Sequence, residues 1–340
     1  MNKKSFFIFT VFFGALLAGC KQSSVQPENR PYTTVGDIVR LSPKLDALVP
    51  PNAKIEILGE GYSWSEGPVW VETHNMLLFS DVPKNIIYRW RETDGVTEYL
   101  IPSGHTGITE GGSEGSNGLL LDSQNRLVIC QHGDRRMAYM DAPLTHPESK
   151  FVSIADNYQE KKFNSPNDAA FHSSGALYFT DPPYGLSQGE NSPHKELPYQ
   201  GVFRATPGGE VALLTDKLSR PNGIAFSPDE QTLYVANSDP ENAIWMAYDV
   251  TKSGDIENPR LFFDATEDVP NLPGLPDGLK IDDAGNLFAT GPGGVLIFTP
   301  EGEHLGTINT GQKTANVAFN EDKSILYMTA HSYLMRIVLR

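Results

Sequence analysis

The sequence is short of cysteine, of positive charge and of long apolar runs. Only Cys20 and Cys130 occur in 340 residues, and 27 Lys and Arg stand against 42 Asp and Glu, a formal net charge of −15 at pH 7. A nucleic-acid partner is excluded, because displacing counterions from phosphates needs clustered basic side chains that this chain lacks. With Cys20 committed elsewhere, Cys130 has no partner for a disulfide and reads as a small buried apolar residue on a strand. The run from Phe6 to Leu17 is too short to span a bilayer comfortably. No long stretch carries the helical period that an α/β barrel requires. The acidity itself fits cation binding and plain solubility equally well.

At the N-terminus, Lys3 and Lys4 precede that apolar run, which closes with Leu17-Ala18-Gly19-Cys20. This is the pattern of an export signal. Leu-Ala-Gly-Cys resembles the bacterial lipobox, so Cys20 is the expected lipidation site after cleavage; an ordinary signal peptide with a chance Cys is the alternative. Lys21, where an Asp would resemble the inner-membrane retention signal, points to the outer membrane facing the periplasm. The lipid is then the only membrane contact. The polar, proline-containing stretch that follows has no sustained periodicity and reads as a tether. The expected division is a signal peptide over 1–19, lipidated Cys20 and tether over 20–51, and one folded domain over 52–340.

Within that domain one unit recurs. A short polar residue, usually followed by Gly, opens an alternating apolar strand, then a turn, then a second strand: Glu66-Gly67-Pro68-Val69-Trp70 with Met76 to Asp81, and Asn117-Gly118-Leu119-Leu120-Leu121 with Arg126 to Cys130. Further copies open at Asn167, Asn222, Asp277 and Asn316, giving leading positions spaced by 51, 50, 55, 55 and 39 residues. That loose period suits propeller blades. The turns between paired strands carry hairpin chemistry such as Asp283-Ala284-Gly285-Asn286. Thirty-one glycines and twenty-five prolines suit a turn-rich fold. The expected fold is all-β, a six-bladed β-propeller; a sandwich would not repeat one polar-Gly-apolar signature six times.

The innermost strand of each propeller blade runs along the central channel, so the repeated leading positions converge on the axis. Glu66, Asn117, Asn167, Asn222, Asp277 and Asn316 are all carboxylates or carboxamides. This is an oxygen-donor set without Cys or His, the chemistry of a hard cation and not of zinc. Ca2+, which accepts six to eight oxygens in irregular geometry, is the expected cofactor, with Mg2+, Mn2+ or Zn2+ as substitutes in vitro. Taken singly, each Asn-Gly or Asp-Gly is also an ordinary turn former.

The motifs Ser65-Glu66-Gly67-Pro68-Val69-Trp70, Phe163-Asn164-Ser165-Pro166-Asn167-Asp168, Phe179-Thr180-Asp181-Pro182-Pro183-Tyr184-Gly185, Arg220-Pro221-Asn222-Gly223 and Leu275-Pro276-Asp277-Gly278 resemble those of the gluconolactonase and regucalcin family of six-bladed propellers. More distantly they resemble the diisopropyl-fluorophosphatase and paraoxonase propellers. The resemblance covers the chain from about Ile55 onward. It implies a bound Ca2+ with Glu66, Asn167, Asn222 and Asp277 as ligands, Asn117 and Asn316 being pocket wall or water-mediated contacts. Where the regucalcin branch has an Arg two residues before the Asn-Asp pair, this chain has Ser165, so sugar contacts assigned to that Arg do not transfer.

The resemblance implies hydrolysis of a small lactone, a sugar lactone such as gluconolactone in first place. Calcium activates water feebly, so a carboxylate beside it must act as base, and Asp277 is the expected catalytic residue. His132, Arg135, Asp181, Tyr184, Asn237 and His331 stand near the ends of second strands, where they are expected to bind substrate hydroxyls or assist proton transfer. His132, Asn237 and His331 each fall fifteen residues after their leading position. Trp64 and Trp70 are expected to pack between blades. Two other readings stay open: an ester or phosphotriester hydrolase on the same scaffold, and a non-catalytic binding propeller stabilised by calcium. A monomer is expected, with a dimer as the alternative.

Overall fold

A computed structural model describes Met1 and residues 32–339; Cys20, the expected signal peptide and the first part of the expected tether lie outside the described residues. The described domain is all-β, six antiparallel sheets arranged as the blades of a propeller, four of them four-stranded and two five-stranded. Blade 1 consists of Ser65–Val71, Met76–Asp81, Ile86–Arg91 and Gly95–Leu100, from the axis outward. Blade 2 repeats the pattern with Ser116–Leu121, Leu127–Gln131, Arg136–Met140 and Phe151–Ala155. Blade 3 opens with Ala169–Phe171 and Leu177–Asp181, and blade 4 with Pro221–Phe226 and Thr232–Asp239. Blade 5 opens with Leu279–Ile281 and Leu287–Gly291, and blade 6 with Thr314–Phe319 and Ile325–Ala330. Among the described residues no helix is long and apolar enough to cross a membrane.

The second strands are apolar without alternation because both of their faces are covered. Every residue of Met76–Asp81, Leu127–Gln131, Leu177–Asp181 and Leu287–Gly291 is buried. A strand sandwiched between layers buries both sides and loses the period-two signal. The core is accordingly a ring of clusters shared by neighbours: Leu78 and Ile87 of blade 1 pack with Leu119 and Ile129 of blade 2. Leu77, Phe79 and Trp90 of blade 1 pack with Tyr327 and Leu334 of blade 6, which closes the ring. Each such fully buried Leu or Phe contributes about 1.5–3 kcal/mol relative to exposure.

The ring is sealed by the start of the domain. Ile55–Glu60 forms an outer strand of blade 6 against Tyr333–Val338, with Ile337 opposite Ile55. The preceding chain differs from the expected tether. Thr34–Val35 pairs onto Ile55–Glu60, and Asp37–Arg40 adds a fifth strand to blade 5 against His304–Asn309. Leu45 and Val49 are fully buried, and Arg40 fastens the turn by donating to Val49 O at 3.0 Å and Pro50 O at 2.8 Å. These strands are two and four residues long, too short to show a period, and Asp37–Arg40 finds its partner only at His304–Asn309. The folded unit therefore begins near residue 32 and not at 52.

Candidate metal centre and catalytic pocket

The six leading residues sit in, or just ahead of, the innermost strands, and bonds between blades hold those strands together at this level. Gly118 N donates to Asn167 O and Gly278 N to Ala315 O, both at 2.8 Å. Hydroxyls of the second strands reach across as well: Ser80 Oγ donates to Asn117 O at 2.8 Å and Thr180 Oγ1 to Asn222 O at 2.7 Å. The glycine after the polar residue serves this close approach. A Cβ on Gly223 would lie 2.1 Å from Asp277 O, and one on Gly278 would lie 2.0 Å from Asn316 Cγ. Neither glycine has a positive φ, so the Asn-Gly and Asp-Gly pairs here are contacts between blades and not left-handed turns.

The side chains of this ring carry oxygens without partners. Oδ1 of Asn117, Asn222 and Asp277 is shielded from solvent and accepts no hydrogen bond among the described residues. Each such orphan costs about 1–3 kcal/mol, so three on one cavity floor are an arrangement that a cation would relieve. Glu66, 2 % exposed, accepts from Gly67 N at 2.9 Å. Burial pushes its carboxyl up to about 7; Gly67 N–H opposes that shift and the Asp168 carboxylate adds to it. Asp277 is pushed well above the usual carboxylate range by burial, then by Glu66 and Asp168. Two buried carboxylates that repel each other, with carboxamide oxygens facing them, fit a divalent hard cation. Among the described residues no group of three or more His, Cys, Asp or Glu side chains is assembled as a zinc site needs.

Not every ring member offers an oxygen. Asn316 Oδ1 accepts from Val317 N at 2.8 Å, and its amide nitrogen faces Asp168 Oδ2 at 3.5 Å. It presents a donor to the carboxylates, Glu66 included.

Above the ring opens a cavity of about 740 Å³ whose floor includes Glu66, Asn117, Asn167, Asn222 and Asp277. Its volume lies in the range of small-molecule sites. The wall brings in His132 and Tyr184, as expected, and Trp64, which lines the cavity instead of packing between blades. Trp70 does pack between blades, stacked on Tyr327 at 5.4 Å. The wall also contains Glu114, Arg220 and Lys313, which sequence reasoning missed. Arg220 could have been found, since it stands two residues before Asn222 in the Arg-Pro-Asn-Gly motif; Glu114 sits in a glycine- and serine-rich loop that carries no signal.

Four expected substrate contacts lie elsewhere. Asp181 is fully buried and accepts from Asn164 N and Ser165 N, both at 2.8 Å. Asn237 Oδ1 accepts from Arg220 N at 2.8 Å. Asp81 does the same in blade 1 for Ser63 N and Trp64 N. In blades 1, 3 and 4 the end of the second strand thus fastens the loop that enters the innermost strand and does not face substrate. His331 is exposed and meets Trp64 edge-on at 5.6 Å, outside the cavity lining. Arg135 is turned inward, donating to Phe163 O at 2.7 Å and pairing with Glu196. Ser165 is likewise internal, donating to Pro182 O at 2.6 Å.

Residues 64–332, which span all six innermost strands, match the family described as SMP-30/Gluconolactonase/LRE-like region. The chain belongs to this family. Within the family, a gluconolactonase of Zymomonas mobilis is 42% identical over 330 residues, covering 95% of this chain and 91% of that protein. A regucalcin of Oryctolagus cuniculus is 27% identical over 284 residues, covering 81% of this chain and 86% of that one. Among solved structures, the gluconolactonase XC5397 of Xanthomonas campestris superposes with a TM-score of 0.77 at 30% identity, covering 92% of this chain and 99% of that one.

Proposed function

We propose that this chain is a hydrolase of the lactonase type that opens a small sugar lactone, such as gluconolactone, to its hydroxy acid at an axial Ca2+ site. The observation that carries this reading is the cavity floor, where Oδ1 of Asn117, Asn222 and Asp277 meets no partner beneath a cavity of about 740 Å³. Similarity to the gluconolactonases of Zymomonas and Xanthomonas supports it.

Glu66, Asn167, Asn222 and Asp277 would hold the ion, with the Asn117 oxygen beside them. Bound there, Ca2+ supplies Lewis acidity to the lactone carbonyl, a role that Mg2+, Mn2+ or Zn2+ would fill in vitro. Asp277 is the general base, taking the proton of the attacking water. Glu66, held by Gly67 N, keeps charge and geometry in place. Tyr184, Arg220 and Lys313 stand where they can bind the hydroxyls of a sugar ring.

The N-terminal residues support a companion proposal: the propeller works as a monomer in the bacterial envelope, tethered through lipidated Cys20 to the outer membrane facing the periplasm.

Acid release from gluconolactone in a pH-stat tests the reading. The rate is expected to rise with enzyme concentration above spontaneous opening, to stop on chelation and to return with added Ca2+. Release that ignores enzyme concentration, or that survives chelation, overturns it.

A further inference from the structure

His132 is 1 % exposed, and neither of its ring nitrogens has a hydrogen-bond partner among the described residues. The ring stands in the cavity wall beside Glu114, whose Oε2 lies 3.5 Å from Nδ1. Asp81, Asp181 and Asn237 fasten the loops of their own blades. In blade 2 their register, opposite Ser116 as Asp81 is opposite Ser65 and Asn237 opposite Pro221, belongs to Gln131. His132 stands one residue beyond it, as Val82 does on the cavity wall in blade 1. What holds the imidazole is packing. A Cβ on Gly185 would lie 2.5 Å from His132 Cβ and 2.7 Å from its Cγ, so the segment after Tyr184 presses on the root of the ring. The His132 N–H donates to Gly115 O at 3.0 Å, which keeps the loop carrying Glu114 alongside. A buried imidazole with two unmet nitrogens costs stability unless a ligand uses it.

We propose that His132 is the catalytic acid of lactone opening and that Glu114 orients it. The inference rests on the lactonase reading. Water joins its oxygen to the carbonyl carbon and gives a proton to Asp277. The tetrahedral carbon then breaks its bond to the ring oxygen, and the electron pair of that bond stays on the oxygen. In the doubly protonated imidazole, Nδ1–H faces Glu114 and Nε2–H passes to that oxygen, making the free hydroxyl. The proton on Asp277 returns to the imidazole through solvent, and the new carboxyl group ionises. The sum is lactone plus water giving hydroxycarboxylate and one proton.

A leaving-group test on the full chain with Ca2+ decides. Gluconolactone expels an alkoxide, which needs an acid; dihydrocoumarin, an aryl lactone, expels a phenoxide, which does not. His132→Gln is expected to lower kcat on gluconolactone about 100-fold or more, the usual worth of general acid catalysis, while kcat on dihydrocoumarin stays within about threefold. KM and the calorimetric Ca2+ affinity are expected to hold. Added imidazole is expected to restore His132→Ala at least about tenfold, because a small acid can occupy the space left by the ring. Equal losses on the two lactones without imidazole rescue, or a loss matched by weaker Ca2+ binding, overturn the proposal. If dihydrocoumarin is not a substrate, the imidazole rescue alone decides. A wild-type protein that opens neither lactone overturns the lactonase reading itself.

Discussion

The amide nitrogen of Asn316 lies 3.5 Å from the carboxylate of Asp168, its orientation set by the bond that its oxygen receives from Val317 N at 2.8 Å. Lys280 Nζ stands 3.9 Å from the same carboxylate. Asp168 is therefore a negative charge beside the ring that contributes to the upward shifts of Glu66 and Asp277 without lining the cavity. Asp168→Asn is expected to weaken Ca2+ binding about tenfold or more in calorimetric titration, the usual cost of removing a group that supports metal ligands.

Protons and the metal compete for the same oxygens. Burial holds the Glu66 carboxyl near 7, so the apparent Ca2+ affinity is expected to fall as pH drops through that value, with proton release on binding measurable by calorimetry in buffers of different ionisation enthalpy. In the metal-free protein the sign reverses. A carboxyl whose folded pKa is raised from 4.5 to about 7 favours the fold fully below 4.5 and loses that contribution as pH rises through 7. The melting temperature of the chelated protein is expected to decline across that window, and Ca2+ is expected to abolish the decline.

Asp181 separates fastening from catalysis. Asp181→Ala strands the N–H groups of Asn164 and Ser165, and about 1–3 kcal/mol of stability per stranded group is expected to be lost in urea unfolding. KM for gluconolactone is expected to stay within about twofold, since the side chain does not line the cavity. A large rise in KM at unchanged stability would return Asp181 to the substrate contacts.

Leu45 measures how firmly the segment before the first blade is built in. It is fully buried against Ile297, Leu305 and Ile308 of blade 5. Leu45→Ala is expected to cost about 2–5 kcal/mol in thermal or urea unfolding, the range for a core leucine. A cost near zero would restore the tether reading.

The blades were legible because the two innermost strands of each are neighbours in sequence: Asn286 and Leu287 follow Leu279–Ile281 after one tight turn that carries hairpin chemistry. The axial residues were legible for the same reason, since a repeated position before a repeated strand must return to the same radius. What escaped depended on distant partners. Asp37–Arg40 carries no period of its own and becomes a strand only against His304–Asn309. The fifteen-residue spacing of His132 and Asn237 was visible, but the hairpin of blade 2 is one residue shorter: Asn237 pairs opposite Pro221 and meets Arg220 N, whereas Gln131 pairs opposite Ser116 and His132 falls one residue beyond. Asn316 looked like its neighbours on the axis until the position of Val317 N turned its amide around.

The pairing of Ile55–Glu60 with Tyr333–Val338 sets the order of events during synthesis. One half of the clasp leaves the ribosome before the first blade and the other after the inner strands of the sixth, so the nascent polypeptide stays an unsealed arc until Tyr333–Val338 has emerged. A chain cut short after the fifth sheet would bring Glu66 and Asp277 into being without the geometry that unites them, and premature stop codons anywhere upstream of Tyr333 should yield no partly active product.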